Sequence, residues 1–213
     1  MNRVNLLSMA LLALMGFHFN NSALNHKLVE SNQTISASKQ SQGGSFKREI
    51  DIFRSIIEWK GTKLLGTGKH NGILKILEGE LFYVNDILSG GFVIADMKSI
   101  TVTDIPKSDP IPYQNLTTHL NSDFNVLKYP VARFEIVKVE AQNSVFVISG
   151  EMIIMDIARN VSLIAKSKDG FGESYEARLI FDRTFWNIGN EGSWFEKKLV
   201  DDEIELIIHL FLK

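Results

Sequence analysis

The apolar positions of this chain recur mostly at every second residue. Ile57 and Trp59 alternate with Glu58 and Lys60. Tyr175, Ala177, Leu179 and Phe181 alternate with Glu176, Arg178 and Asp182. Near the C-terminus Ile204, Leu206, Ile208 and Leu210 alternate with Glu203, Glu205 and His209. A period of two over such lengths predicts strands with one face buried and the other in water. Val145 to Ile148 and Met152 to Met155 are more continuously apolar, and their facing stays open. Glycines at 66, 68, 72, 79, 90, 91, 150, 170, 172, 189 and 192 punctuate these runs and read as turns. Many short strands at this spacing point to a sandwich or a barrel rather than β-α-β units. One segment differs: Pro110 to Phe124 begins with proline and spaces Leu116 and Leu120 four apart, which predicts a short helix. Tyr129-Pro130 then returns the chain to an extended state, because a residue before proline avoids the helical region. Closing the sheet into an all-β antiparallel barrel of about eight strands removes its exposed edges. Such an interior is either filled by side chains or holds one slim ligand, and pattern alone leaves sandwich and barrel, filled and hollow, undecided.

The N-terminus reads differently. Arg3 precedes an apolar run from Leu6 to Phe19, interrupted by Ser8, Gly16 and His18. A bilayer span needs about twenty residues, so this run is short for one. With Ser22 and Ala23 behind it, residues 1–23 read as a secretory leader rather than a membrane anchor or a buried strand. Glu30 to Ser45 is polar and nearly free of apolar residues, which makes residues 24–45 a flexible tether and residues 46–213 the folded domain. An exported protein, periplasmic or secreted, is the expectation. The 213 residues suit one domain behind a leader, and 45% hydrophobic content supplies a sizeable core. Lys and Arg number 23 against 25 Asp and Glu, with no basic run among aromatics, so nucleic acid is not an expected partner. Without cysteine the chain has no disulfide framework, thiolate metal site, cysteine nucleophile or lipidated N-terminal cysteine.

Several stretches, in order, resemble the YceI-like family in its variety with a Trp-x-Gly-x-Lys opening. They are Ser55 to Lys63 with Trp59, Gly61 and Lys63, then Gly68-Lys69-His70-Asn71-Gly72, and Gly90 to Ile100 with Phe92 and Asp96. His119 to Phe124, Lys128-Tyr129-Pro130 and Phe134 follow, then Ser149 to Ile154, and last Asp182-Arg183 through Ile188-Gly189 to the acidic, alternating end strand. The resemblance implies a lipocalin-like antiparallel barrel with a helix near the middle. It also implies an elongated apolar tunnel for a polyisoprenoid or related long-chain lipid, in a protein that is typically exported. Two departures stand out. Asp156 to Val161 lacks the glycine and proline of the family's usual turn, and Phe124-Asn125 replaces two adjacent aromatics. The first alters a turn; the second changes polarity near a barrel mouth.

The expected tunnel lining is Trp59, Leu74, Phe92, Phe134, Leu179, Phe181, Leu206 and Ile208, although any barrel needs such residues as plain core. His70, His119 and Arg183 are candidate head-group contacts. Neither histidine belongs to a spaced cluster of ligands, so structural hydrogen bonding is favoured over metal or acid–base work, and no metal or cofactor is expected. Asp182-Arg183 is more often a solvated strand end or a cross-strand salt bridge than an anchor. Ser149-Gly150 is not a nucleophile elbow, since no glycine lies two residues before the serine. Glycines 66, 68 and 72 have no following helix to make a phosphate loop. Asp201, Asp202, Glu203 and Glu205 read as a solvated face. The function expected is therefore a carrier or sequestering protein without catalysis, in transient contact with a membrane. The alternatives are an enzyme with His70 or His119 as base, and a solid barrel serving as an interaction module.

Overall fold

The computed structural model describes residues 44–63, 68–142, 145–170, 172–189 and 200–213, all within one unit. The expected leader, the tether before Gly44, and the turns expected at Gly66 and Gly192 lie outside the described residues. In chain order the elements are β1 (Ser45–Glu49), β2 (Ile56–Lys63), β3 (Lys69–Val84), β4 (Ile87–Val102), α1 (Pro110–Asp123), β5 (Val131–Gln142), β6 (Val145–Ile154), β7 (Ile157–Ser167), β8 (Ser174–Asp182), a 3-10 turn (Arg183–Trp186) and β9 (Val200–Phe211). From β2 to β8 each strand pairs antiparallel with the next, β8 pairs with β9, and β9 returns to β2 through Ile57↔Ile208 and Trp59↔Leu206. That closes an eight-stranded antiparallel barrel, so sandwich gives way to barrel.

The extra strand β1 continues the edge of β3 where β2 leaves off: β2 pairs with β3 up to Ile56↔Lys75, and β1 takes over from Glu49↔Glu80 to Ser45↔Val84. Between the two the chain makes one turn. The Asp51 carboxylate accepts the Phe53 and Arg54 amides at 3.1 and 3.3 Å, which satisfies donors that the ladder has released. The 14-residue helix α1 starts where the prolines predict, with proline in its first turn.

The structure departs from the sequence pattern at two points. Gly72, Gly79, Gly90, Gly91 and Gly150 lie inside strands rather than at turns. The β3–β4 and β6–β7 hairpins instead turn at Asn85-Asp86 and Met155-Asp156, whose positive φ values of 53°, 62°, 52° and 60° match the twist of the flanking strands. The second departure is at Phe92, expected in the tunnel lining. Opposite Tyr83 stands Leu88, but opposite Phe82 stands Gly90, so Ser89 is an extra residue in β4. The alternation shifts by one beyond it, Val93, Ala95 and Met97 face inward, and Phe92 falls on the outer face. There the Arg133 guanidinium covers its ring at 4.6 Å.

On the same outer face, Lys60 and Arg178 reach Glu205, and Lys166 and Lys168 reach Glu176. These are the solvated strand faces that the alternation predicts.

Candidate functional site

The barrel interior holds a cavity of about 1220 Å³, larger than the roughly 300–1,000 Å³ of an ordinary small-molecule site. Its walls are mostly apolar. Trp59, Leu74, Phe134, Leu179, Phe181, Leu206 and Ile208 all line it, joined by Ile57, Met152 and Tyr175; Phe92 does not. Trp59, Phe134, Leu206 and Ile208 are only half-buried, because one side of each meets open volume instead of packed neighbours. The helix shows the same thing. No residue of α1 is fully buried, yet its Leu116 and Leu120 face the cavity, so the helix covers an end of the lumen without filling it.

Two glycines help to keep the lumen open. Trp59 stands directly opposite Gly72, and a Cβ on Gly72 would meet its ring at 2.6 Å and the Thr101 carbonyl oxygen at 1.9 Å. A Cβ on Gly150 would meet the Phe134 ring at 2.6 Å and the Glu135 carbonyl oxygen at 2.2 Å. Each large aromatic therefore lies down over a bare stretch of backbone instead of projecting across the barrel. The Trp59 Nε1 donor finds no acceptor among the described residues in that position. Gly150→Val should push Phe134 into the lumen and strain β5 against β6. Loss of about 1–3 kcal/mol in urea unfolding is expected, together with a reduced capacity for any lumenal ligand. Wild-type stability and capacity in that variant would contradict this account of the open lumen.

Most of the polar lining collects at the α1 end, with Thr62, His70, Asn115, His119, Ser122, Asp123, Arg183 and Asp201, whereas Tyr175 lines the cavity at the other end of β8, its hydroxyl 3.1 Å from that of Tyr83. All three histidine and arginine candidates are thus brought to one end of the cavity. His70 is half-buried, with Nδ1 at 2.8 Å from Asp104 Oδ2. His119 is exposed on α1. Arg183 is not a solvated strand end: it is 7% exposed, and donates from Nη1 to the Ile188 carbonyl (2.7 Å), from Nε to the Asp201 carbonyl (3.1 Å) and from Nη2 to Asp202 (3.4 Å). The Asp182 side chain accepts the Thr184 amide at 2.8 Å and so starts the 3-10 turn that carries Arg183 under the barrel rim. Thr62 Oγ1 donates to Asp201. Among the described residues no group of three or more His, Asp or Glu could hold a metal ion. Sequence reasoning missed Asp104 and Asp123 as members of this end. Asp104 lies 34 residues from His70, and no local spacing joins them.

Residues 48–212 match the profile of the YceI-like domain. Among solved structures, BcnA of Burkholderia cenocepacia superposes with a TM-score of 0.60 at 18% identity, covering 76% of this chain and 98% of that one. A polyisoprenoid binding domain from Saccharophagus degradans, implicated in plant cell wall breakdown, superposes with a TM-score of 0.55 at 12% identity, covering 78% of this chain and 97% of that one. At these identities the likeness establishes the fold alone. No curated protein matches the chain.

Proposed function

We propose that this chain, which belongs to the YceI-like domain family, holds a polyisoprenoid or related long-chain lipid inside its barrel, as an exported carrier or sequestering protein without catalysis. The observation that carries the reading is the apolar cavity of about 1220 Å³ with most of its polar groups gathered at one end, the shape of an amphiphile's complement. On β3 the lining runs from His70 to Leu81, about 36 Å along the strand at roughly 3.3 Å per residue. A strand tilt near 40° reduces that to about 28 Å along the barrel axis, a length suited to an extended chain rather than a compact metabolite. The polyisoprenoid-binding relative of the same fold supports the choice of lipid. At the polar end Thr62, Asp201 and Arg183 bond to one another's side chains and backbone rather than around a nucleophile, which favours binding over catalysis. Loading and release then involve transient contact with a membrane.

Natively purified protein should yield a near-stoichiometric long-chain lipid on organic extraction and mass spectrometry. Lipid-free protein that also fails to take up added prenyl lipids would remove the carrier reading. Export rests on the N-terminal residues. Mature protein from the envelope or medium should begin between about Ser22 and Glu30 on N-terminal sequencing. Soluble cytoplasmic protein that retains Met1 would sink that part of the reading and leave the cavity untouched.

A further inference from the structure

His70 stands on the inner face of β3, in phase with Gly72 and Leu74, and lines the polar end of the cavity. Its Nδ1 is 2.8 Å from Asp104 Oδ2, and the other Asp104 oxygen accepts the Asn71 amide at 3.1 Å. Asn71 is itself fixed: its side chain donates to Thr103 Oγ1 at 2.9 Å, and its carbonyl accepts the Thr103 amide at 2.9 Å. The carboxylate is thus held at both oxygens. Burial pushes the Asp104 carboxyl up, but the hydrogen bonds from His70 and the Asn71 amide more than reverse this and hold it below the usual range. An ionised carboxylate only accepts, so Nδ1 carries a ring proton, and whenever the imidazole is neutral Nε2 is the acceptor.

The charges around it complete the selection. Carboxylates of Asp123 and Asp201 line the same end of the cavity. The two arginines of the lining are already committed: Arg183 to bonds that include two backbone carbonyls and Asp202, Arg133 to Glu135 at 3.2 Å and the Phe92 ring. A head group bearing phosphate would bring its charges to an end that carries carboxylates and meet only committed cations. A hydroxyl brings no charge and one proton to donate.

We infer that His70, oriented by Asp104, selects the head group of the bound lipid, favouring an uncharged hydrogen-bond donor such as a long-chain prenyl alcohol over a phosphate or diphosphate ester. The inference rests on the lipid-holding reading above and adds the head-group class. His70 is the contacting residue, and Asp104 is a positioning residue.

The test compares geranylgeraniol, its methyl ether and its diphosphate as ligands for the lipid-stripped full chain at pH 8. The alcohol should bind about tenfold more tightly than the ether, the value of one hydrogen bond in a sheltered site, and the diphosphate more weakly than either. His70→Phe should abolish the preference, so that alcohol and ether bind with equal affinity. In Asp104→Asn the amide donates to Nδ1, so Nε2 becomes the N–H, and the ether oxygen can then accept as well as the alcohol does; the preference should vanish through a gain by the ether. A purely structural His70–Asp104 pair would not move that ratio. Equal binding of alcohol and ether by wild type, or tighter binding of the diphosphate, overturns the head-group inference and leaves the tunnel standing. Failure of all three ligands to bind overturns the lipid-holding reading and this inference with it.

Discussion

Leu179→Arg is expected to strip the barrel of its lipid, leaving less than a tenth of the wild-type lipid-to-protein ratio. Leu179 is 4% exposed in the middle of β8, opposite Leu206 on β9, and both face the cavity. Most polar groups of the lumen are at the α1 end, and Leu206 faces position 179 across the β8–β9 pair, so a guanidinium there would meet apolar wall and the hydrocarbon of a bound chain. An uncompensated charge in such a place costs on the order of several kcal/mol. In an open lumen the long side chain can lie along the cavity with some water, which keeps a destabilised barrel folded. The two readouts are the near-ultraviolet dichroism of the purified variant and the lipid in its organic extract. Leu179→Met, nearly equal in volume, serves as control and should cost less than about 1.5 kcal/mol while keeping the lipid. A folded Leu179→Arg protein with its full lipid load would mean that the chain lies elsewhere.

The same strand shows how much of the lumen a sequence can reveal. From Ser174↔Phe211 to Asp182↔Glu203 the pairing of β8 with β9 runs without a register shift, so strict alternation puts Ala177, Leu179 and Phe181 on the inner face. β4 defeats the same rule. Its pairing with β3 shifts at three places, and the extra Ser89 turns Phe92 outward. A bulge leaves no mark in the composition beyond Gly90-Gly91, which look like a turn. Gly91 is in fact where a Cβ would come within 2.4 Å of the Glu80 carbonyl oxygen. The turns of the β3–β4 and β6–β7 hairpins, Asn85-Asp86 and Met155-Asp156, contain no glycine at all, whereas Gly170, Gly172 and Gly189 do lie between elements at positive φ. The polar end was legible only in part. His70, His119 and Arg183 stand out by chemistry, but Asp104 reaches His70 through the β3–β4 pairing, a contact that no sequence spacing encodes. Volume is the least legible property. Trp59 and Phe134 have the composition of a filled core, and it takes their positions over Gly72 and Gly150 to show that they lie against the wall.

That difference between wall and filling separates two aromatic truncations. Trp186→Ala should cost about 3–5 kcal/mol whether or not lipid is present. Trp186 is 1% exposed, packs edge-on to Phe181 with ring centroids 5.2 Å apart, and donates from Nε1 to the Met152 carbonyl at 3.2 Å. It is absent from the cavity lining, so nothing in the lumen can occupy the hole, and the Met152 carbonyl loses its donor as well. Phe134 is half-buried and lines the cavity over Gly150. Its removal widens the lumen, and a resident chain can move into the space, so Phe134→Ala should cost only about 1–2 kcal/mol in loaded protein, below the usual range for a core phenylalanine. Because lipid binds the native state alone, loaded wild type and loaded Phe134→Ala should both melt higher than their stripped forms. The gap between loaded and stripped protein should be at least as large for Phe134→Ala, while Trp186→Ala lowers both curves together. Urea unfolding of the three proteins, each loaded and stripped, measures this. A Phe134→Ala cost equal to that of Trp186→Ala in both states would make Phe134 part of a solid core, and a barrel filled at that level has no continuous tunnel for a lipid chain.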